Sequence, residues 1–583
     1  MLSENEIKTD VLVIGGGMSG LFAAIKAREE GADVTLVEKG YVGKSGSVFF
    51  AEGFYSIFNP KWGHNLKDWV AQISKTGEYM NNPEWTEVTL KDSYERYQDF
   101  LSWGIKFREG EGGKLAKFTR GVLEARYLGL GWTYLPVMRA QVLKSGVNLM
   151  DRIMVTDLIK QDGRVVGAVG FHTRSGEFYV FKAKATVICT GGGSFGAFGF
   201  YDGETMAYRA GAEISGKEFA LTGTGYYSYA GSGYWGEKGD DAKVSYTDKE
   251  VKPAPGGGFG WDGGGRHYVD KYVDSEGNKL NRYTVTQAMH NGRGPILWAL
   301  SGATPEEISD TLQEVKESGA GFKLERAGLD LTKGGLFAGA GRFEGYIGHT
   351  IYGGGAGIWS TNTNGGTTLP GLYAAGDSYN SRAVGARYPW WGTGLRNASV
   401  TGARAGRGAA EYASKVEKIM INKGELDRLK RSVYAPIERS GGFDRGWVTL
   451  QLQNIMLPYY IWMLRHGDRL KAALTLVEFL KGQIAPKVLV KDAHELRLVH
   501  ETNNRILSAE MMLRAAIFRT ESRASHYRED YPLRDDPNWL AAVRIKKKDG
   551  EMELIKEPFP KKWWPDLSVP YKDRYPMKHP GEE

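Results

Sequence analysis

The sequence predicts an α/β (α+β) fold in which a split Rossmann-like domain carries an inserted capping domain and is followed by a helical domain. Three observations lead to this prediction: a strand, glycine, helix, strand pattern at the N-terminus, a change of composition after residue 220, and a charged helical texture after residue 410. With 583 residues, of which 41% are hydrophobic, the chain can bury one large core and at least one further domain.

The N-terminal segment TDVLVIGGGMSGLFAAIKAREEGADVTLVEKG predicts one βαβ unit, whose first strand begins by about Asp10. Gly15, Gly17 and Gly20 form a GxGxxG pattern after that strand, and Glu38 ends the second strand. Such glycines permit a tight turn and a close approach of pyrophosphate to the helix N-terminus, and the acid can accept ribose hydroxyls. The segment therefore predicts a dinucleotide site, with FAD and NAD both open at this point.

The rest of the first domain predicts strands followed by a helix. Three strand-like runs between residues 152 and 187 are separated by two glycine-containing turn signals, which indicates an antiparallel meander. The segment DGETMAYRAGAE then predicts a helix that ends near Gly211.

From residue 221 the chain becomes rich in glycine and aromatic residues, as in GTGYYSYAGSGYWG, which predicts an inserted domain built of loops that acts as a lid. GLYAAGD and GLRNASVTGARAGRGAAEYA then return to the strand, glycine, helix pattern. A helical stretch follows to about Arg519, and Asp549-Gly550 predicts a closing hairpin. The predicted domains are 1–220 and 346–410 (the two parts of the nucleotide-binding domain), 221–345 (cap), 411–545 (helical) and 546–583 (hairpin and tail).

Composition excludes several classes of protein. The single cysteine, Cys189, rules out an intramolecular disulfide and cannot supply the thiolates of an iron–sulfur cluster, so a cluster would have to lie on another chain. No metal site is predicted. Lysines and arginines number 76 against 69 acidic residues and are scattered, so nucleic acid is not an expected partner.

Neither a membrane span nor a targeting segment is predicted. The apolar run from Ile455 to Leu464 is followed directly by Arg465 and His466, well short of the roughly 20 residues that a spanning helix needs. The N-terminus MLSENEIKTD has no apolar signal core. We therefore expect a cytoplasmic location.

A further segment, EKGYVGKSGSVFFAEGF, resembles the flavin-contacting stretch of the fumarate reductase and succinate dehydrogenase flavoprotein superfamily, and favours FAD over NAD. TVICTGGGSFG, DGETMAYRAGAE, GLYAAGD and the terminal RTESRASHYREDYPLRDDPNWL also resemble that superfamily, so the likeness spans residues 10 to about 545 and is poor only in the lid. Together, the fingerprint and the resemblance imply FAD contacts at Gly15, Gly17, Ser19, Gly20, Glu38, Lys39, Lys44, Ser45, Gly46, Val155, Thr190, Gly191, Gly192, Asp202, Gly376, Asp377, Gly394 and Leu395.

One departure concerns the attachment of the flavin. Membrane members of the superfamily tether FAD through a histidine in a serine-histidine-threonine segment, whereas this chain has Ser45-Gly46-Ser47. Because glycine has no nucleophile, we expect non-covalent FAD. The KSG segment is closer to the adenylylsulfate reductase alpha subunit than to succinate dehydrogenase.

The resemblance also implies three residues of the reacting centre. His349, in IGHTIYGG, matches the superfamily's substrate histidine and would hold an anionic group; the alternative is a histidine satisfied by loop carbonyls. Arg387, in AVGARYPWWGTGL, lies about where a substrate arginine is expected, although this chain carries two additional residues there. Arg282 lies near the position of a proton-donating arginine, and a solvated surface arginine is the alternative.

The expected dicarboxylate pocket is altered. Dicarboxylate-using members place a histidine-proline-threonine triplet after the DG helix, where this chain reads Ala220-Leu221-Thr222. Aromatic residues that suit a planar or apolar substrate, or that pack the lid, are Tyr226, Tyr227, Tyr229, Tyr234, Trp235, Trp390 and Trp391.

The sequence thus predicts an FAD-dependent oxidoreductase that exchanges a hydride between non-covalent FAD and an activated C–C or C=C bond of a small organic, aromatic or apolar substrate. Two alternatives stay open: an adenylylsulfate-reductase-like flavoprotein subunit, and an electron-transfer flavoprotein subunit of a larger complex. The predicted partners are the small-molecule substrate and an iron–sulfur or other electron-transfer subunit.

Overall fold

The computed structural model describes residues 4–50, 52–109, 115–195, 199–221, 354–417, 419–462, 464–575 and 579, together with short strands between residues 222 and 353. The strands are β1 Glu4–Ile14, β2 Val34–Glu38, β3 Glu52–Ser56, β4 Lys117–Arg120, β5 Leu123–Leu130, β6 Asn148–Asp151, β7 Ile153–Gln161, β8 Arg164–His172, β9 Phe178–Ile188, β10 Ile214–Ser215, β11 Ala220–Leu221, β12 Tyr246–Thr247, β13 Tyr272–Val273, β14 Leu297–Ala299, β15 Leu336–Ala338, β16 His349–Thr350, β17 Gly357–Trp359, β18 Leu372–Ala374, β19 Tyr379–Asn380, β20 Ala541–Lys548 and β21 Glu551–Pro558.

The helices are α1 Met18–Glu29, α2 Ser47–Phe50, α3 Leu66–Thr76, α4 Pro83–Ser102, α5 Gly131–Lys144, α6 Asp202–Ala210, α7 Thr393–Ser414, α8 Lys423–Tyr434, α9 Arg445–Met456, α10 Tyr459–Trp462, α11 Gly467–Phe479, α12 Ala493–Phe518 and α13 Tyr571–Arg574. The mixed α/β prediction is confirmed.

The main sheet has the order β6-β2-β1-β9-β8-β7. Strands β6, β2, β1 and β9 run parallel, and β18 adds to β9 in the same direction, whereas β7, β8 and β9 form the predicted antiparallel meander. The long β9 pairs with β8 through its first half and with β18 through its last residues, so a strand that follows residue 354 joins the same sheet as β1.

The first strand begins at Glu4, earlier than the expected start near Asp10. Its polar first half, Glu4 to Lys8, pairs residue by residue with Phe178 to Lys182 of β9. Backbone hydrogen bonds to a partner strand make strand structure favourable there although the side chains lack an apolar pattern.

Two helices of the nucleotide-binding domain pack in parallel through glycines. A Cβ at Gly402 of α7 would lie 2.3 Å from the carbonyl oxygen of Ser19 in α1, and one at Gly406 would lie 2.2 Å from that of Ala23. Because both positions advance by four residues, α1 and α7 run in the same direction, with α7 extending well beyond the start of α1.

The C-terminal helices cover the meander. Apolar side chains of α8, α9, α11 and α12 share one buried cluster with Phe171, Phe178 and Val180 of β8 and β9. A second, five-stranded sheet has the order β19-β17-β10-β20-β21, and its outer hairpin turns at Asp549 and Gly550 as predicted.

Buried ion pairs fix the terminal segment to the first domain. Arg534 donates to both carboxylate oxygens of Glu78 at 2.7 and 2.8 Å, and Arg519 lies 2.9 Å from the Glu218 carboxylate. Burial alone would raise the pKa of Glu78, but the paired charge of Arg534 outweighs it and lowers that pKa to about 2. The C-terminal segment and the residues after α3 therefore behave as one packed unit.

The glycine contact between α1 and α7 gives a stability prediction. We expect Gly402→Ala to lower the free energy of unfolding by about 1 to 3 kcal/mol, because the new methyl group must push the two backbones apart. Gly482→Ala is a matched helical control, since a Cβ at Gly482 meets no atom within 4 Å. Chemical denaturation of both variants measures the difference; equal stabilities would contradict the close packing.

Candidate functional site

The carboxyl ends of four parallel strands meet at one edge of the main sheet. The Cys189 N–H, just after β9, donates to Ile14 O at the end of β1, and the Ala375 N–H, just after β18, donates to Ile188 O. The Gly15 N–H donates to Val37 O of β2 in the same row. Ligands of open α/β sheets bind at this edge, so the loops that follow these strands form the candidate site.

The loop after β1 makes the predicted tight turn. Gly15 has φ +107°, and a Cβ there would lie 2.4 Å from Cys189 O; a Cβ at Gly20 would lie 1.8 Å from Gly15 O. Gly17 precedes α1, whose first turn has neither a side-chain cap nor an acidic residue. The unsatisfied amides and the positive helix end at this point suit a pyrophosphate.

Glu38 holds the two loops that flank this turn. Its carboxylate accepts the Gly16 N–H at 2.8 Å and the Gly40 N–H at 3.0 Å through its two oxygens. Each oxygen keeps a further lone pair, which is the capacity that ribose hydroxyls would use.

Lys39 and Asp202 are held by each other. Lys39 Nζ lies 2.6 Å from Asp202 Oδ2 and 2.9 Å from Glu501 Oε1 of α12, and Asn504 donates to the other Asp202 oxygen. Burial would lower the pKa of Lys39, but the two carboxylates raise it. The sequence predicted that both residues contact the cofactor. In the structure they join the segments after β2 and before α6 to the helix α12. Their contact with FAD stays a prediction.

The remaining predicted contacts lie around the same edge. Thr190 Oγ1 accepts the Gly203 N–H at 3.0 Å at the start of α6, and Val155 packs in one buried cluster with Ile14 and Val37. Gly191 has φ +75°, and a Cβ there would meet no atom within 4 Å. Gly192 follows it in the same loop, and Lys44 and Ser45 lie in the loop after β2.

The loop after β18 leads to the N-terminus of α7. Gly376 has φ +68°, a Cβ there would lie 2.6 Å from Ser19 Oγ, and its N–H donates to Thr401 Oγ1 at 2.9 Å. Asp377 follows at the sheet edge. In the first turn of α7, which carries the predicted contacts Gly394 and Leu395, the Gly394 N–H donates to Tyr388 Oη at 2.7 Å.

Arg387 lies just before α7 and is 9% exposed. The neighbouring Arg120 reaches the same segment from β4: its Nη1 donates to Pro389 O at 3.4 Å and its Cζ lies 5.7 Å from the centre of the Trp390 ring. Burial lowers the pKa of Arg120 to about 10, and the positive charge of Arg387 adds to this effect. Sequence reasoning missed Arg120, because a single arginine at the end of a short strand carries no motif.

The remaining predicted residues of the reacting centre are Arg282, His349 and the aromatic residues. Arg282 lies outside the residues that the structure describes, as do the tyrosines and the tryptophan of the lid. His349 is described only as part of β16, which pairs with β11 at Leu221. Trp390 and Trp391 are buried and stack on each other at 5.0 Å, and Trp391 stacks on Phe54 at 4.3 Å.

The residues present fit an FAD molecule. An open glycine turn at a helix N-terminus faces the pyrophosphate position, an acid ends β2, and a second glycine loop and helix continue along the edge. Within the part of the chain that the structure describes, no cluster of three metal-ligating side chains occurs, and no helix is long and apolar enough to cross a membrane. The fold and the site define an FAD-dependent oxidoreductase.

Comparison with known proteins identifies the superfamily. Residues 10–226 match an FAD binding domain and residues 449–575 match the fumarate reductase flavoprotein C-terminal domain. The chain belongs to the flavoprotein superfamily of fumarate reductase and succinate dehydrogenase.

Full-length relatives are similar to the chain. An uncharacterized FAD-dependent oxidoreductase of Methanocaldococcus jannaschii is 27% identical, and one subunit of the fumarate reductase (CoM/CoB) of Methanothermobacter marburgensis is 25% identical; each match covers 94% of this chain and 98% of the relative. Among solved structures, Sdh1 of Mycobacterium smegmatis has a TM-score of 0.78 at 22% identity, covering 98% of both chains. Adenylylsulfate reductase of Archaeoglobus fulgidus has a TM-score of 0.74 at 21% identity, covering 96% of this chain and 97% of that one.

Glu38 provides a test of the dinucleotide site. We expect Glu38→Ala to weaken FAD binding by about 1 to 3 kcal/mol, because hydroxyls and loop amides lose their acceptor. Titration of the apoprotein with FAD, followed by flavin fluorescence, measures the dissociation constant. Glu30→Ala, at the far end of α1, is the control; an unchanged constant in Glu38→Ala would remove Glu38 from the site.

Proposed function

We propose that the protein exchanges a hydride between non-covalent FAD and an activated C–C or C=C bond of a small substrate that carries an anionic group. The observation that carries this proposal is that Arg387 lies close enough for its positive charge to act on Arg120, which contacts Pro389 and Trp390 ahead of α7. An anionic group bound there would be attracted by both positive charges. The carboxylate of a substrate would be such a group, as would the enolate oxygen that develops on an enone or thioester as the hydride moves.

The flavin, when bound, supplies the hydride chemistry through its isoalloxazine ring. In the proposed site Arg387 and His349 hold the substrate oxygen on which negative charge grows, and Arg120 strengthens the field at Arg387. Arg282 or a tyrosine of the lid exchanges the proton. Fixed donors that face developing charge lower the barrier more than they improve substrate binding.

The aromatic residues have a more limited role than the sequence implied. Trp391 packs between Phe54, Phe118 and Trp390, so the two tryptophans form a rigid wall behind the arginines. An apolar or aromatic substrate body would therefore lie against the lid tyrosines. That part of the substrate assignment stays a prediction.

Non-covalent attachment of FAD is supported by the loop after β2. Gly46 has φ +82°, and a Cβ there would meet no atom within 4 Å. The neighbouring Ser45 Oγ donates to Tyr41 O at 2.8 Å, so this hydroxyl is engaged within its own loop. Neither residue offers the nucleophile that a covalent flavin bond requires.

A second candidate is adenylylsulfate-reductase-like chemistry, which the KSG segment favours. The same arginine pair would bind a sulfate as readily as a carboxylate, so the substrate test must include both. Either enzyme needs an electron partner. Because the chain has one cysteine, we propose that an iron–sulfur or other electron-transfer subunit delivers the electrons in the cytoplasm.

The mode of flavin attachment is directly testable. We expect acid precipitation of the yellow protein to release all of its FAD into the supernatant, because Gly46 cannot form a covalent link. Absorbance of the supernatant against that of the intact protein gives the released fraction. Flavin that stays with the washed precipitate would refute this proposal.

The arginine pair provides the sharper test of function. We expect Arg387→Ala and His349→Ala to keep FAD but to slow the half-reaction between bound flavin and substrate by about a hundred- to a thousandfold, the cost of one donor to developing charge. Arg120→Ala should have a smaller effect in the same direction. Single-turnover absorbance at the flavin band, with enoates, enones and adenylyl sulfate as substrates, isolates this step from electron delivery.

Lys117→Ala is the matched control, since Lys117 lies on the same strand as Arg120 and its side chain is exposed. Wild-type half-reaction rates in Arg387→Ala and His349→Ala would defeat the proposed site. Turnover of adenylyl sulfate alone would establish the second candidate instead.

A further inference from the structure

The first turn of α7 contains a buried guanidinium that the proposed substrate site does not use. Arg396 is 1% exposed, and its Nη1 donates to Ser56 Oγ of β3 at 3.1 Å. Its Nε and Nη2 have no hydrogen-bond partner among the described residues. Buried N–H groups without partners cost about 1 to 3 kcal/mol each, more when charged, so a ligand is expected to satisfy them.

Among the described residues, no carboxylate pairs with the charge of Arg396. Burial lowers its pKa to about 10, and the groups that act against this effect are the Tyr55 and Tyr388 hydroxyls, not a carboxylate. Burial raises the pKa of Tyr388 to about 12 and that of Tyr55 further, so both hydroxyls are neutral at physiological pH. Other buried arginines of the described chain, such as Arg523 and Arg534, contact carboxylates directly.

The position of Arg396 relative to the glycine turn indicates which ligand would satisfy its free N–H groups. Gly402 of α7 crosses α1 at Ser19, beside the glycine turn, and α7 begins nine residues earlier at Thr393. At a rise of about 1.5 Å per residue, the first turn of α7 lies roughly 13 Å beyond that turn. An FAD molecule bound with its pyrophosphate at the N-terminus of α1 would extend along this edge, and Arg396 would then be within reach of its ring system.

One backbone amide at the N-terminus of α7 already has a hydrogen-bond partner. Helix N-terminal amides commonly bind anionic groups, but the Gly394 N–H already donates to Tyr388 Oη. Arg396 therefore provides a full positive charge where the amides of the helix offer less. Its guanidinium is deeper than that of Arg387, which precedes the helix and is more exposed.

We propose that Arg396, held in place by Ser56, is the electrostatic partner of the pyrimidine rim of the flavin and stabilises the negative charge that this rim carries in the reduced state. The proposal depends on the FAD site and is independent of the substrate. Positive charge near this rim favours reduced over oxidised flavin and so raises the reduction potential. In the same way it strengthens the adduct of sulfite at flavin N5, whose charge also lies on the pyrimidine rim.

The test uses the FAD-loaded full-length protein without any substrate. We expect Arg396→Met to bind oxidised FAD nearly as the wild type does, but to lose about 10- to 100-fold in its preference for the reduced form. For a two-electron couple this corresponds to a midpoint potential about 30 to 60 mV more negative. Titration against a redox dye measures it, and the dissociation constant for sulfite should rise by a similar factor.

Two further variants complete the experiment. Arg407→Met, on the same helix but partly exposed and close to Glu95, should keep the wild-type potential. Ser56→Ala keeps the charge of Arg396 and removes only the hydrogen bond that holds its guanidinium. We therefore expect the preference for reduced flavin to fall by about two- to fivefold. If Arg396→Met fails to fold or to hold FAD, the midpoint potential and sulfite affinity of Ser56→Ala test the proposal instead.

A wild-type potential and sulfite affinity in Arg396→Met, or in Ser56→Ala where that variant decides, would overturn the proposal. A shift that Arg407→Met shares would also overturn it, because it would then reflect the net charge of the helix. Since no substrate is present, none of these outcomes depends on the roles of Arg120, Arg387 or His349.

Discussion

Close contact between α1 and α7 brings two distant parts of the chain to one edge of the sheet. Gly402 and Gly406 let the backbone of α7 approach Ser19 and Ala23 to a distance that no side chain permits. This contact fixes β18 and the loop with Gly376 beside the glycine turn after β1. The dinucleotide site exists as a continuous edge only because the chain, after the long insertion, returns to this position.

The same contact sets the length of the site. Because α1 and α7 run in parallel and cross near the start of α1, the first turns of α7 project beyond the glycine turn. The sheet edge thus offers anion-binding groups at two depths: helix amides near Gly17, and side-chain cations near the start of α7. A ligand that fills both must be about as long as a dinucleotide, with polar groups at each end.

Much of this arrangement follows from sequence, and the failures have physical causes. The βαβ unit, the meander, the C-terminal glycine of α6 and the final hairpin depend on local turn chemistry and periodicity, so they were predicted correctly. The start of β1 was missed because pairing with β9, not side-chain pattern, makes Glu4 to Lys8 a strand. Lys39 and Asp202 could not be recognised as an ion pair, because they lie 163 residues apart and the second acid on Lys39, Glu501, lies still further along the chain.

Arg120 and Arg396 were missed for a related reason. Neither belongs to a motif. Each is important because it is desolvated by burial and because no carboxylate contacts it among the described residues. Sequence shows charge but not its compensation. One signal was available for Arg396, since a lone arginine follows Gly394 and Leu395 in a helix otherwise built there of small residues.

The segment between Arg387 and Arg396 explains how two cations stay apart in so short a stretch. Trp390 and Trp391 lie between them, and Trp391 is packed against Phe54 of β3. The Ser56 N–H, on the same strand, donates to Gly392 O, and Ser56 Oγ accepts from Arg396. β3 thus anchors the segment at Trp391, Gly392 and Arg396. In the proposed site a reduced flavin beside Arg396 and an anionic substrate beside Arg387 would place one negative charge at each position.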